Sequence, residues 1–413
     1  MSSTASVTAS TGIAGQSVSA RVVSIDIFRG ITMAVMIFVN DLASVGGLTK
    51  WTYHMPQNVD AMTYVDMVFP AFLFIVGMSL PIAVRQRLRR KPSVGRLWLH
   101  VALRSLALLA LGLILANVEY CDSKRMHLSP NLWALLGLGG GILLWNVYTG
   151  LSHRMEIILR LAGAALLVFA FAIFRRAVPG GEAWLQFSYP EILGLIGITY
   201  FATCLLYIPT RRWRLAPLVW LIVLVAYNSA CCAHWIRIDH VPLYVWPFGN
   251  GAMASLIMAG IVMAQIFVEA PLRPGSDRSA PARKIFFGIL MAVTAFAAGW
   301  FLRPLGISKI RATPTWALWT VAACCALFIA LYWLCDVKKR TAWAWLVRPA
   351  GANTLLTYLV PDIYYFLVAL TGTAYLQEHW NHGWPGVIRA AALTVAMLLV
   401  AHAATRARVR MQL

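Results

Sequence analysis

The sequence predicts an all-α fold, a polytopic transmembrane bundle of about 10–12 helices with both termini on the cytoplasmic side. Three observations predict it. Hydrophobic residues make up 60% of the chain and charged residues only 12%, whereas soluble domains are usually about 25% charged. Apolar runs of about twenty residues, the length that crosses the hydrocarbon, recur from one end to the other. The loops between those runs alternate between rich and poor in Lys and Arg, as cytoplasmic and external loops do. The net charge of +20 is therefore carried by membrane-flanking loops. No basic, aromatic-studded soluble segment stands ready for nucleic acid, which is not expected as a partner.

Residues 1–20, rich in Ser, Ala and Thr, hold no Lys or Arg and no apolar core. They are expected to be a disordered tail and not a secretory signal peptide. Residues 21–413 read as one transmembrane domain. Its first span, 25–44, has Asp26 and Arg29 near its start and Asn40 near its end. The second, 64–84, begins with Asp66 and contains Pro70, expected to kink it. Further spans are expected at 97–117, 131–149, 155–174, 190–208, 215–234, 250–270, 285–303, 314–335, 351–371 and 386–405. The fourth is interrupted by Gly137, Gly139, Gly140 and Gly141, and the eleventh contains Pro361 and Asp362. No internal repeat is visible.

With the N-terminus inside, the inner loops carry 22 Lys and Arg and the outer loops 9. The loop after the second span alone supplies Arg85, Arg87, Arg89, Arg90, Lys91 and Arg96. This places His54 outside. Trp51, Trp184, Trp235, Trp246, Trp380 and Trp384 then all fall at the outer surface, where amphipathic rings favour the headgroup region. Six of the seven cysteines lie within or at the end of apolar runs and read as packing residues; none has metal-ligand spacing, and no metal is expected.

Ionisable groups and amides in a span are costly and mark function. Asp26 and Arg29 share a helix face, either to fix the helix end or to leave a guanidinium for a phosphate. Asn40 and Asp66 flank the loop that carries His54, the side chain suited to proton transfer near neutral pH. A carboxylate beside that ring would orient it and raise its basicity. Lys309 and Arg311, in G-I-S-K-I-R-A-T-P-T-W, stand outside against the charge trend and suit an anionic or sugar acceptor. Asn353 and Thr357 are one turn apart in G-A-N-T-L-L-T-Y-L-V-P-D, with Asp362 beyond them. Walker A, G-x-S-x-G and H-E-x-x-H motifs are absent.

R-V-V-S-I-D-I-F-R-G-I-T-M-A-V-M-I-F-V-N, His54 and T-Y-V-D-M-V-F-P-A-F-L-F-I-V-G resemble the heparan-alpha-glucosaminide N-acetyltransferase family of transmembrane acyltransferases. L-G-L-I-G-I-T-Y-F at 193–201, the S-K-I-R-A-T-P-T-W tract and G-A-N-T-L-L-T-Y-L at 351–359 are similar to further blocks in the same order. The family block G-V-L-Q-R reads E-I-L-G-L here, at 191–195. The resemblance implies transfer of an acetyl group from cytosolic acetyl-CoA to an amino sugar across the membrane. It implies His54 as the catalytic histidine and Asn40 as its companion. Asp26, Asp66, Asn353 and Asp362 match its other marked positions.

These readings together lead to a transmembrane acetyltransferase of a bacterial inner membrane. His54, Asn40 and Asp66 would be catalytic, with the histidine a general base or an acetyl carrier. Asp26, Arg29 and Arg104 would hold acetyl-CoA, and Lys309, Arg311, Asn353 and Asp362 the amino sugar or glycan. Membrane lipids surround the chain, and homodimer formation is left open. The alternative is a permease for an amino sugar or cell-wall fragment without covalent chemistry, which twelve spans and intramembrane carboxylates suit equally well.

Overall fold

The computed structural model describes residues 22–268 and 281–411. The expected tail, residues 1–20, lies outside the described residues, as do Arg21, Arg273 and Arg278 of the inner-loop count. The first helices are α1 (Val23–Leu42), α2 (Val68–Arg90), α3 (Val94–Asn117), α4 (Ser123–Met126) and α5 (Pro130–Trp145). There follow α6 (His153–Ile173), α7 (Glu191–Thr210), α8 (Ala216–Cys232), α9 (Ala252–Phe267) and α10 (Pro281–Phe301). The last are α11 (Pro314–Leu331), α12 (Val347–Ala352), α13 (Thr354–Thr371), α14 (Tyr375–His379) and α15 (Gly383–Arg406). Sheet is confined, among the described residues, to a two-stranded hairpin, Arg176–Val178 with Gly181–Ala183.

Twelve of these helices occupy the twelve expected spans; α4, α12 and α14 are short connectors. Nine of the described helices are long and apolar enough to cross a membrane, and α5, α8 and α9 are shorter at 16, 17 and 16 residues. At 1.5 Å per residue these three reach roughly 25 Å, slightly less than the hydrocarbon thickness. The chain is an all-α, multi-pass membrane bundle.

Helix ends follow local chemistry. Ser93, Ser129 and Ser152 each accept a backbone N–H from the first turn of the helix they precede, and Pro130 follows Ser129 where its missing N–H costs nothing. The start of α1 is capped from far along the chain. The Asp336 carboxylate accepts the N–H groups of Val23 and Ser24, each at 3.0 Å. A carboxylate there satisfies two orphan donors and meets the positive end of the helix dipole. Pro70, expected to kink the second span, falls in the first turn of α2, where no intrahelical bond is lost.

Packing is closest where glycines meet backbone. On α2 and α9, a Cβ on Gly77 would collide with the Ile257 carbonyl, and one on Gly260 with the Phe74 carbonyl. Without a hydrophobic drive between helices in lipid, such small-residue contacts hold bundles together. Of the glycines in the fourth span, Gly140 of α5 serves the same end against Gly163 of α6, and the helix runs on unbroken. The eleventh span does break. Asn353 leaves helical geometry, so α12 and α13 are separate segments.

Loops assigned to one side touch one another. Gly46 pairs with residues 381–383, Asp122 with Arg175, and Asp60 with Arg311, all outer by charge count. Asn146 meets Arg410 and Met411, and Asp336 caps α1, all inner. Both described chain ends therefore lie at the same, Lys- and Arg-rich end. The six outer tryptophans are all exposed.

Candidate active site

At the outer end, the loop after α1 folds back so that His54 meets the start of the second span. His54 Nδ1 lies 2.7 Å from Asp66 Oδ1. The Asp66 carboxylate is 1% exposed and is held from every side. Its Oδ2 accepts the Thr63 N–H at 3.0 Å, the Met55 N–H at 3.3 Å and the Thr63 hydroxyl at 3.3 Å. The Asp66 backbone carbonyl accepts the indole N–H of the buried Trp316. The imidazole itself is 46% exposed. A fixed carboxylate on Nδ1 sets the tautomer that carries its proton there and leaves Nε2 free to act as a base.

A second loop docks on the first. Residues 306–313, between α10 and α11, place Lys309 Nζ 3.3 Å from both ring nitrogens of His54. Arg311 pairs with Asp60, and the Asp60 carboxylate also accepts the Ile307 N–H at 3.3 Å. Ser308 and Thr313 bond across the base of the loop. Burial pushes the Lys309 amine below the usual lysine range, while the charge on Asp66 pulls it back up. Lys309 and Arg311, expected to hold an acceptor, thus lie against His54 and Asp60 respectively.

At the other end, a cavity of about 660 Å³ opens among α1, α2, α3, α7 and α13. Arg29, Arg87, His100 and Arg104 line it, and no carboxylate does among the described residues. Arg29 donates to the Gly351 carbonyl at 2.9 Å and the Ser79 hydroxyl at 2.6 Å, and lies 3.5 Å from Asp26. The Arg104 guanidinium lies 4.9 Å from the Tyr200 ring centre. Its Nε–H is buried with no hydrogen-bond partner among the described residues. The side of α2 facing the cavity runs from Arg87 to Phe72, roughly 22 Å of helix rise. Phe72 is six residues from Asp66, about another 9 Å. The cavity thus starts at the basic inner end and reaches most of the way to the His54 loop.

Other expected site residues fall elsewhere. Asn40 is exposed and forms no hydrogen bond to His54. Successive helix residues are about 100° apart, so its neighbour Asp41 turns inward in its place. Asp26 stands behind Arg29 and does not line the cavity. Asn353 is not placed to hold an outer acceptor. Its amide donates to Thr405 Oγ1 and the Val409 carbonyl and accepts the Met411 N–H, so both of its ends clamp the C-terminal segment at the inner end. Asp362 lies midway along α13, one turn beyond Tyr358, whose hydroxyl donates to Glu191.

Sequence reasoning missed the buried pair of Asp41 and Arg389. Arg389 reaches Asp41 Oδ2 at 3.1 Å and Ser44 Oγ at 2.8 Å, and the Tyr365 hydroxyl donates to Asp41 Oδ1. An arginine within an apolar run was the available signal. It also missed His100 and Tyr200 as cavity residues. Where the family block has glutamine and arginine, Gly194 packs against Gly112 of α3 and lets α7 close on it.

Fold and site together define an integral, multi-pass membrane protein with a charged cavity at one end and a histidine–carboxylate pair at the other. Residues 21–248, more than half of the sequence, match the family described as a domain of unknown function (DUF5009), and the chain belongs to that family. It is also similar to heparan-alpha-glucosaminide N-acetyltransferase of Homo sapiens, 36% identical over 120 residues, which are 29% of this chain and 16% of that protein. The Mus musculus protein of the same name is 33% identical over 116 residues, 28% of this chain and 16% of that one. The matched region thus spans about a sixth of these relatives' length.

Proposed function

We propose that the protein is a transmembrane acetyltransferase that takes acetyl groups from acetyl-CoA at the inner face and passes them to an amino sugar or glycan at the outer face of a bacterial inner membrane. The observation that carries this reading is the two-ended site. A basic cavity, with no carboxylate in its lining among the described residues, enters from the inner end, and a base oriented by a buried carboxylate waits beyond its far end. Arg87 and His100 lie near the cavity's inner end and suit the phosphates. Arg29 and Arg104 lie deeper, and the unpartnered Nε–H of Arg104 supplies a donor to a bound anion or carbonyl.

In this reading the reactive thioester extends along α2 toward the His54 loop. His54 Nε2 removes the proton from the acceptor amine or hydroxyl, while Asp66 stabilises the imidazolium that forms. Direct transfer and a transient acetyl-imidazole both suit this geometry. The similarity to acetyltransferases named for a glucosaminide supports an amino sugar as acceptor.

The test is made on purified protein in liposomes. Acetyl-CoA should bind in titration calorimetry, and Arg104→Met should weaken it about ten- to a hundredfold, the worth of a charge-assisted hydrogen bond. Labelled acetyl should then appear on external glucosamine. Counterflow of labelled sugar with no acetyl-CoA binding would overturn this reading in favour of a carrier.

A further inference from the structure

Lys309 places a primary amine against the imidazole that would deprotonate an incoming nucleophile. Its Nζ is 3.3 Å from both ring nitrogens, so it rests against the ring and leaves the Nε2 lone pair open beside it. Burial holds the amine below the usual lysine range, so it gives up its proton more readily than a solvated lysine. The side chain is not there by accident of a loose loop. Arg311–Asp60, Ile307–Asp60 and the Ser308–Thr313 bonds fix the backbone on both sides of it. A primary amine beside an acyl-transfer base is chemically the same group as the 2-amino function of an amino sugar.

We propose that Lys309 is itself an acyl-acceptor site, acetylated by the protein's own machinery when no external acceptor fills the outer site. This rests on the acyl-transfer reading above. The step is balanced as follows. His54 Nε2 takes a proton from the Lys309 ammonium, and the freed amine attacks the thioester carbonyl. The carbonyl carbon–nitrogen bond forms as the carbon–sulfur bond breaks. The thiolate leaves and receives the proton from the imidazolium, and the new amide nitrogen sheds one proton to water. The products are N-acetyl-Lys309, free thiol and one proton. Lys309 thereby loses its charge and leaves an acetamide against the imidazole, so the modified protein is closed to acceptor.

Two acyl donors separate this proposal from the reading it rests on. p-Nitrophenyl acetate, added outside, needs no cofactor cavity; acetyl-CoA, supplied at the inner face, does. Peptide mass spectrometry follows Lys309 beside Lys50 and Lys124, which also lie in outer loops. With the ester, Lys309 should be acetylated faster than either by about a hundredfold, the scale of general-base assistance. The advantage should vanish in His54→Gln, and the rate should level off at a pH below the ordinary lysine range. Incubation with acetyl-CoA alone should mark Lys309 and progressively silence the protein, whereas Lys309→Arg, which keeps the charge, should resist that silencing.

Lys309 labelled no faster than Lys50 and Lys124, or equally fast in His54→Gln, would overturn the proposal. Acetyl-CoA-dependent transfer to glucosamine that leaves Lys309 unmarked in the absence of sugar would also overturn it, while the acetyltransferase reading stood. Labelling by the ester but never by acetyl-CoA would uphold Lys309 as the acceptor and count against acetyl-CoA as the donor.

Discussion

Asp41 and Asp66 stand at either end of the loop that joins the first two spans, and both are almost wholly buried. Their surroundings differ. The Asp41 carboxylate is held by Arg389 and Tyr365, with the exposed Ser44 bonded only to Arg389 and the Asp41 backbone carbonyl, and the Arg389 side chain is only 4% exposed. Asp66 is equally well anchored on one side, by Thr63 and Met55, but its remaining bond goes to an imidazole nearly half open to solvent. A charge pair closed on all sides can only hold helices together. A buried carboxylate behind an exposed imidazole can hold a proton position while the ring's other nitrogen meets a reactant. The same residue type, in one loop, thus separates into architecture and chemistry by what covers its partner.

The largest effect should come from removing the open partner. His54→Ala should lower acetyl transfer by about 10²–10⁴-fold, the usual contribution of a positioned base. Because Asp66 keeps its bonds to Thr63 and Met55 and the ring is nearly half exposed, stability should fall by only about 1–3 kcal/mol, the cost of one lost bond to a buried group. Normal turnover in a folded His54→Ala protein would break the contrast altogether. Asp41→Ala should do the reverse. Breaking one partner of a buried pair costs about 3–5 kcal/mol because the other charge is left uncompensated. Thermal unfolding in detergent should fall sharply, while the protein that remains folded keeps its acetyl-CoA affinity. An Asp41→Ala variant as stable as the parent would show that Arg389 finds another partner.

Asp66→Asn should give a smaller and more specific change. The amide keeps the shape of the side chain but offers Nδ1 no negative charge, so the imidazolium that forms during proton transfer is left unstabilised. The rate should fall by about tenfold. An unchanged rate, in a variant that folds, would assign Asp66 to packing alone.

Much of this was legible in the sequence. The twelve long helices follow from local apolar runs, and the grouping of the loops at two ends agrees with their charge. Arg29 and Arg104 stand out as guanidiniums in hydrocarbon, and both line the cavity. His54 and Asp66 are only twelve residues apart, close enough for loop chemistry to suggest their pairing. Contacts across long stretches of chain were not legible. Lys309 comes to His54, Asp336 to the start of α1 and Arg389 to Asp41 across more than 250 residues. A single sequence shows which residues are costly to bury but not which distant partner meets them. The partners of Asn353, which are Thr405, Val409 and Met411, were hidden for the same reason: they lie some fifty residues onward.

Asn40 marks the finest distinction of this kind, and its substitution should have the smallest effect. The resemblance makes it the companion of His54, but one step along α1 decides between inside and outside. A step of about 100° gives Asp41 the inward position and leaves Asn40 exposed, with no bond to the imidazole. Asn40→Ala should therefore leave stability within about 0.5 kcal/mol of the parent, as surface changes do. The pH–rate profile should keep its shape, because neither the proton on Nδ1 nor the base at Nε2 depends on that amide. If acetyl transfer nevertheless fell about a hundredfold at saturating acceptor, with the profile in place, Asn40 would have to meet the acyl oxygen in the transition state. The outer end of α1 would then have to turn toward His54 when substrate binds. A change confined to KM for the acceptor would instead make Asn40 part of the outer binding surface, and Asp66 would remain the only partner of the base.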